Sequence, residues 1–185
     1  MNNGNTIDLS KYQNKLSIKN KLGRLFWNII YWFLFRPFYP SFFRKWRNSL
    51  LKLFGAKLGT GSVVHSSARI WAPWNLEMGN YSCLAQKVDC YNVDKIIIGD
   101  NTTISQKCYL CTASHDIYNP LNPLITAPII IEDQAWIATD SFIGMGVEIH
   151  QGAVVGARTS VFKNVQAWTV VGGNPAKFIK ERVIK

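Results

Sequence analysis

Ile98-Gly99-Asp100-Asn101-Thr102-Thr103, Ile104-Ser105-Gln106-Lys107-Cys108-Tyr109 and Leu110-Cys111-Thr112-Ala113-Ser114-His115 put an aliphatic residue at every sixth position. After a break the beat resumes at Ile131, Ile137, Ile143, Ile149, Val155 and Val161. A period of six matches neither an α-helix nor an alternating strand. It matches a triangular coil, in which three six-residue units close one turn of about 18 residues and each unit sends one side chain inward. The inward aliphatics then form three stripes around a continuous core. Small residues four places later (Thr102, Cys108, Ser114, Ala135, Ser141, Ala153, Thr159) allow tight corners. The fold class expected is an all-β solenoid, a parallel β-helix.

Working back from Ile98, the beat is already present at Leu58, Val64, Ile70 and Leu76, slips by two to Met78, Leu84 and Cys90, and slips by two again. The spacing predicts about five coils, 58–75, 78–95, 98–115, 131–148 and 149–166, with the slips absorbed at corners. Between His115 and Pro128 lie Pro120, Pro123 and Pro128, so residues 115–130 leave the coil as an excursion. From Trp168 onward the chain reads as a cap, which a solenoid end requires. Three segments follow: 1–57, a polar arm and an aromatic, basic helical segment; 58–167, the coil; and 168–185, the cap.

Ahead of the coil, Leu25 to Phe35 is apolar except for Asn28 and is followed by Arg36-Pro37; Phe42, Phe43, Trp46, Leu50, Leu53 and Phe54 continue at helical spacing toward Gly55. Two aromatic helices are predicted. Eleven residues cannot span a bilayer, which leaves packing against the coil or peripheral membrane contact through residues 25–54. The net charge is +10, and eleven of the 21 basic residues fall between Lys11 and Lys57. Interleaving with large apolar residues argues against a nucleic-acid surface. Residues 1–17 are polar, without the apolar core of a secretory signal. The four cysteines include Cys108-x-x-Cys111, but repeat geometry already accounts for that pair, and reduced cysteines favour the cytosol. A cytoplasmic protein is expected, at the inner face of the membrane if the aromatic segment touches lipid.

Of the three histidines, His65 and His150 follow inward aliphatics and should face outward, whereas His115 stands where the excursion begins. A neutral imidazole there could take a proton from an acceptor, or merely hydrogen-bond at a loop root.

The [Leu/Ile/Val]-Gly-x-x-small-x beat, Ser114-His115-Asp116, Ala135-Trp136-Ile137-Ala138 and the closing Val171-Gly172-Gly173-Asn174-Pro175-Ala176-Lys177 together resemble the hexapeptide-repeat acyltransferases, whose solenoid is a left-handed β-helix. Among these the chain is most similar to the colanic-acid acetyltransferases and next to the maltose and nodulation group. The resemblance implies a homotrimer with active sites between subunits, acetyl-CoA as acyl donor, no metal, and direct transfer with His115 as general base. It places Trp136, backbone groups around Ala138 and Ala157, and Lys163 and Lys177 along the coenzyme. On the acceptor side, related sugar acetyltransferases carry an asparagine where this chain reads Leu84-Ala85-Gln86. Asp89 and Asn92 are the remaining candidates to hold a sugar hydroxyl or steady His115, unless they are corner residues. The implied acceptor is a sugar hydroxyl of a polysaccharide precursor, lipid-linked if the N-terminal segment meets membrane. An amino-sugar N-acetyltransferase and a non-catalytic solenoid stay open, and a zinc site would need all three histidines to converge.

Overall fold

The computed structural model describes residues 6–13 and 16–185; residues 1–5, 14 and 15 of the polar arm lie outside it. The coil runs from Lys57 as short parallel strands on three faces. On the first face Leu58, Met78, Ile98, Ile131 and Ile149 stack in register. The second face stacks Val64, Leu84, Ile104, Ile137, Val155 and Val171. The third stacks Ile70, Cys90, Leu110, Ile143 and Val161. All three columns are buried. Strand residues alternate in and out, so a six-residue unit spends only one large side chain on the core and turns with the rest.

Two features refine the expected coil. The slips by two arise because strands Leu76–Met78, Ile96–Ile98 and Ile129–Ile131 each bury both ends, adding a second inward aliphatic to the first face. A bridge from Ile149 to Val165 and the pairing of Val155 with Val171 begin a sixth turn beyond the five complete ones, so the segment from Trp168 is not only a cap. Thr169–Gly172 then folds back antiparallel against Lys177–Glu181 and ends the stack.

The small fifth-position residues are buried pins as well as space-savers. Ser82 Oγ donates to the Gly99 carbonyl (2.5 Å), Thr102 Oγ1 to Glu132 (2.7 Å) and Ser141 Oγ to Gly156 (2.9 Å), each one coil further on. These bonds satisfy carbonyls that turn inward at the corners. Ser114 does not join them. It is exposed, because the third turn closes at Thr112 and Ala113–His115 already belongs to the excursion.

The open N-terminal end is plugged by helices α1 (Ile18–Ile30) and α2 (Arg44–Leu53). Ser17 caps α1 by accepting from the Asn20 N–H, a start that lies upstream of the apolar run read from the sequence. A π-helical turn, Tyr31–Phe35, extends α1. Trp27, Phe35, Leu50 and Leu51 enter the same buried cluster as Leu58, Val64 and Ile70 of the first coil. The Trp27 indole donates to the Ile70 carbonyl (2.6 Å), and buried Arg47 donates to Val64, Phe38 and Pro40 carbonyls. Among the described residues no helix is long and apolar enough to cross a membrane.

Candidate functional site

The excursion is a β-hairpin. Ala113–His115 pairs antiparallel with Leu124–Thr126, and the corner beneath it is tied to the coil by Thr112. Thr112 is fully buried, donates through Oγ1 to the Tyr91 carbonyl (3.0 Å) and accepts from the Asp94 N–H (2.9 Å). Asp94 in turn accepts from Thr126 Oγ1 (3.0 Å), so both hairpin strands are anchored at their root. The tip is ordered by Asp116, which accepts from the Tyr118 N–H, and by Asn119, which accepts from the Leu121 N–H.

His115 is exposed at the end of the first hairpin strand, and its Nδ1 lies 2.6 Å from the Asn122 carbonyl oxygen. A carbonyl can only accept, so the neutral ring carries its proton on Nδ1 and presents an unprotonated Nε2. Asn122 holds this carbonyl in place from a left-handed backbone conformation (φ 48°) that its short polar side chain tolerates. From the N-terminal arm, Tyr12 sets its ring 6.3 Å from that of His115, and the Asp8 N–H donates to the Pro120 carbonyl (3.0 Å). Neither Asn122 nor Tyr12 was singled out from the sequence. An asparagine directly before Pro123 is the one available signal for the former; for the latter there is none.

Asp89 projects outward on the third face, in register between Arg69 and Tyr109. Half-burial raises its carboxyl above the ordinary range, with Arg69 pulling partly the other way. Burial likewise raises the Tyr109 hydroxyl, and a hydrogen bond involving Cys111 adds to it. Asn92 is placed differently. It is fully buried, accepting from the Ala72 N–H (2.9 Å) and donating to the Ala72 carbonyl (2.6 Å), so both polar atoms of its side chain fasten one coil to the next.

Trp136 stands outward on the second face, 48% exposed, with its indole donating to Ser105 Oγ (2.9 Å). Ala138 and Ala157 follow at the adjoining corner, one coil apart. The Ala138 carbonyl is taken by Ser141 Oγ (2.8 Å), whereas the exposed Ala157 N–H makes no hydrogen bond among the described residues. Lys163 and Lys177 line one groove of about 420 Å³ at the C-terminal end of the coil, with Phe162, Pro175 and Phe178. The chain therefore groups its candidate residues at two separate edges. His115 leaves the corner between the third and first faces, while Trp136, Ala138 and Ala157 line the corner between the second and third.

The cysteines are free, and Cys108 and Cys111 point to opposite sides of the strand wall. Cys108 is buried against the Ala138 carbonyl, its thiol pushed up to about 11 by burial, and Cys111 faces outward to the Ala113 carbonyl. Among the described residues no group of three His, Cys, Asp or Glu could hold a metal ion.

A three-faced parallel coil of this kind is the solenoid of the hexapeptide-repeat acetyltransferases. A hexapeptide-repeat acetyltransferase of Vibrio cholerae, solved with acetyl coenzyme A, superposes with a TM-score of 0.81 at 24% identity over 94% of each chain. A maltose O-acetyltransferase of Clostridium difficile superposes with a TM-score of 0.82 at 25% identity, over 91% of this chain and 90% of that one. No family model matches the chain. It belongs nonetheless to the hexapeptide-repeat acetyltransferase family and is an acyltransferase. It is 46% identical over 144 residues, 78% of its length, to the Escherichia coli K12 protein named as the colanic acid biosynthesis acetyltransferase WcaF, of which it covers 79%. Galactoside O-acetyltransferase of the same strain is 29% identical over 162 residues, 80% of this chain and 73% of that one.

Proposed function

We propose that the protein transfers an acetyl group from acetyl-CoA to a sugar hydroxyl of a polysaccharide precursor, with His115 as general base. The observation that carries this reading is the hydrogen bond from His115 Nδ1 to the Asn122 carbonyl, which leaves Nε2 basic, exposed and fixed in direction. Nε2 takes the acceptor's hydroxyl proton as its oxygen attacks the thioester carbonyl. The tetrahedral oxyanion collapses, the C–S bond breaks, and the departing thiolate recovers the proton from His115, giving the acetyl ester and free coenzyme A. The thioester is already activated, so alignment and a base are the main requirements.

Trp136, the Ala157 N–H and the basic groove of Lys163 and Lys177 suit a coenzyme lying along the coil: a flat apolar surface, a donor for an amide carbonyl, and cations for phosphates. Trp136 and the Ala157 N–H sit across the third face from His115, while Lys163 follows the last third-face strand. One chain's hairpin corner must therefore meet another chain's Trp136 corner, a head-to-tail contact between unlike surfaces that closes into a ring. We assign a homotrimer on that ground together with the family. On the acceptor side Asp89 is the candidate. The spent side chain of Asn92 suits a fastening between coils instead.

The test is thiol release from acetyl-CoA across sugars, amino-sugars and lipid-linked glycan extracts, comparing wild type with His115→Ala. Expected is turnover on a hydroxyl acceptor that falls by about 10²- to 10⁴-fold in the variant, with coenzyme binding retained. Undiminished turnover in His115→Ala would refute the general-base assignment, and turnover confined to amines would refute the hydroxyl acceptor.

A further inference from the structure

Helix α1 has two apolar faces. One carries Trp27, Tyr31 and Phe35 into the core. The other carries Ile18, Leu22, Leu25, Phe26, Ile29, Trp32 and Phe33, every three or four residues, and all seven are between 49% and 75% exposed. A surface helix normally turns polar residues outward; a contiguous apolar stripe of this length marks a contact. Tyr39 and Phe42, 71% and 75% exposed, lie in the connection to α2.

The charge around this stripe identifies what it contacts. From Leu9 through Leu76 the chain has twelve lysines and arginines and not one aspartate or glutamate. Lys19 and Lys21 flank the stripe on α1, and Arg36, Arg44 and Lys45 are exposed in the segments that follow. The Arg36 guanidinium lies over the Trp32 ring, 4.6 Å from its centroid, so a cation is held at the edge of the apolar surface. Aromatic and aliphatic side chains bordered by cations, in a stretch of sequence without acids, are the pattern of an interfacial helix on an anionic bilayer. The location also fits. The helices cover the end of the coil, packing on Ile70, Trp71 and Val64 of the first turn, and side-by-side association of coils leaves an end face open.

We propose that the outer face of α1 and its π-helical extension docks flat on an anionic lipid surface, burying Phe26, Ile29, Trp32 and Phe33 at the headgroup boundary while Lys19, Lys21 and Arg36 meet lipid phosphates. This reading is independent of the acetyl acceptor and stands or falls without it.

The experiment is flotation of the full chain with vesicles of phosphatidylcholine alone and of phosphatidylcholine with about 30% phosphatidylglycerol, comparing wild type with Phe26→Glu/Phe33→Glu. Solution mass and Trp fluorescence are measured in parallel. Expected is at least tenfold stronger binding to the anionic vesicles, weakening with salt, with a blue shift of tryptophan emission, and at least tenfold loss in the double variant at unchanged solution mass. Wild type remaining with the soluble fraction on anionic vesicles overturns the proposal. So does a double variant that floats like wild type. A double variant that dissociates to a smaller species shows the stripe to be a subunit contact and also overturns it. Should the double variant misfold by circular dichroism, the wild-type emission decides, since an unshifted spectrum on anionic vesicles refutes lipid contact of this face.

Discussion

Thr103 and Ile104 form one two-residue strand, and truncating each to alanine separates the inward column from the outer wall. Ile104 is fully buried in register between Leu84 of the coil before and Ile137 of the coil after. Removing three carbons from such a site costs about 2–5 kcal/mol, more where the surroundings cannot collapse into the gap. Here they are held by backbone ladders to both neighbouring coils, which places Ile104→Ala in the upper part of that range, about 3–5 kcal/mol. Thr103 is exposed beside it, and Thr103→Ala should stay within about 0.5 kcal/mol. At roughly 2–4 °C per kcal/mol for a chain of this size, the midpoints should differ by about 6–20 °C. The assay is thermal unfolding by circular dichroism at one fixed protein concentration, because association raises the midpoint by mass action. Equal losses in the two variants, or a larger loss for Thr103→Ala, would refute the three-column core.

Asp89 is a carboxyl whose folded value is raised by burial, so its ionised form costs stability as pH rises through that raised value. Asp89→Asn should be more stable than wild type at pH 7 and indistinguishable in acid, and as an acceptor contact it should raise the acceptor KM; denaturant midpoints and initial rates check both. His65 moves the other way. Burial, then Arg47, lowers its folded value, so the unfolded chain takes up the proton first and stability is lost as pH falls below about 6.5. His65→Gln should flatten that part of the stability profile in denaturant titrations. Asn122→Val forces a β-branched residue into left-handed backbone and should shift the His115 acceptor, lowering kcat by tenfold or more with coenzyme affinity retained, whereas Asn122→Gly should stay close to wild type in both.

The period of six was legible because the inward position tolerates only aliphatic or similarly sized residues: Ile104, Leu110 and Ile137 each stack on a counterpart one coil away, and any polar residue there would bury unpaired groups. Two aromatic helices were legible from the run Leu25 to Phe35 and the spacing of Trp46, Leu50 and Phe54, but that they plug the coil was not, and fully buried Leu51 was not singled out. What the sequence hid is set by backbone direction rather than residue type. Tyr81, Lys87, Asn101, Lys107, Gln134, Asp140, Arg158 and Trp168 all take positive φ at corners, three places before an inward core residue, and nothing in their chemistry announces it. The hairpin was read as a proline-bearing loop beginning at His115, since Ala113 and Ser114 continue the repeat on paper; only the pairing of Ala113 with Thr126 shows that the coil has already ended.

A break in the repeat drew attention to His115 and the acceptor-side resemblance to Asn92, yet neither ground by itself marks a functional group. Asn92 fastens one coil to the next, and its donor and acceptor are both used by Ala72. His115 also spends one nitrogen on the backbone, but that bond fixes which nitrogen stays basic and turns the ring outward at the root of an anchored hairpin. What separates the two side chains is therefore a count of unspent hydrogen-bonding capacity, and that count supports the proposed role of His115 and not one for Asn92. By the same count the Ala157 N–H is unspent, whereas the Ala138 carbonyl and the Trp136 indole N–H are both used, so Trp136 offers a ligand only its exposed ring. The His115 and Ala157 groups lie on different edges of one chain's prism, which is why the proposed transfer site calls for a second copy of the chain.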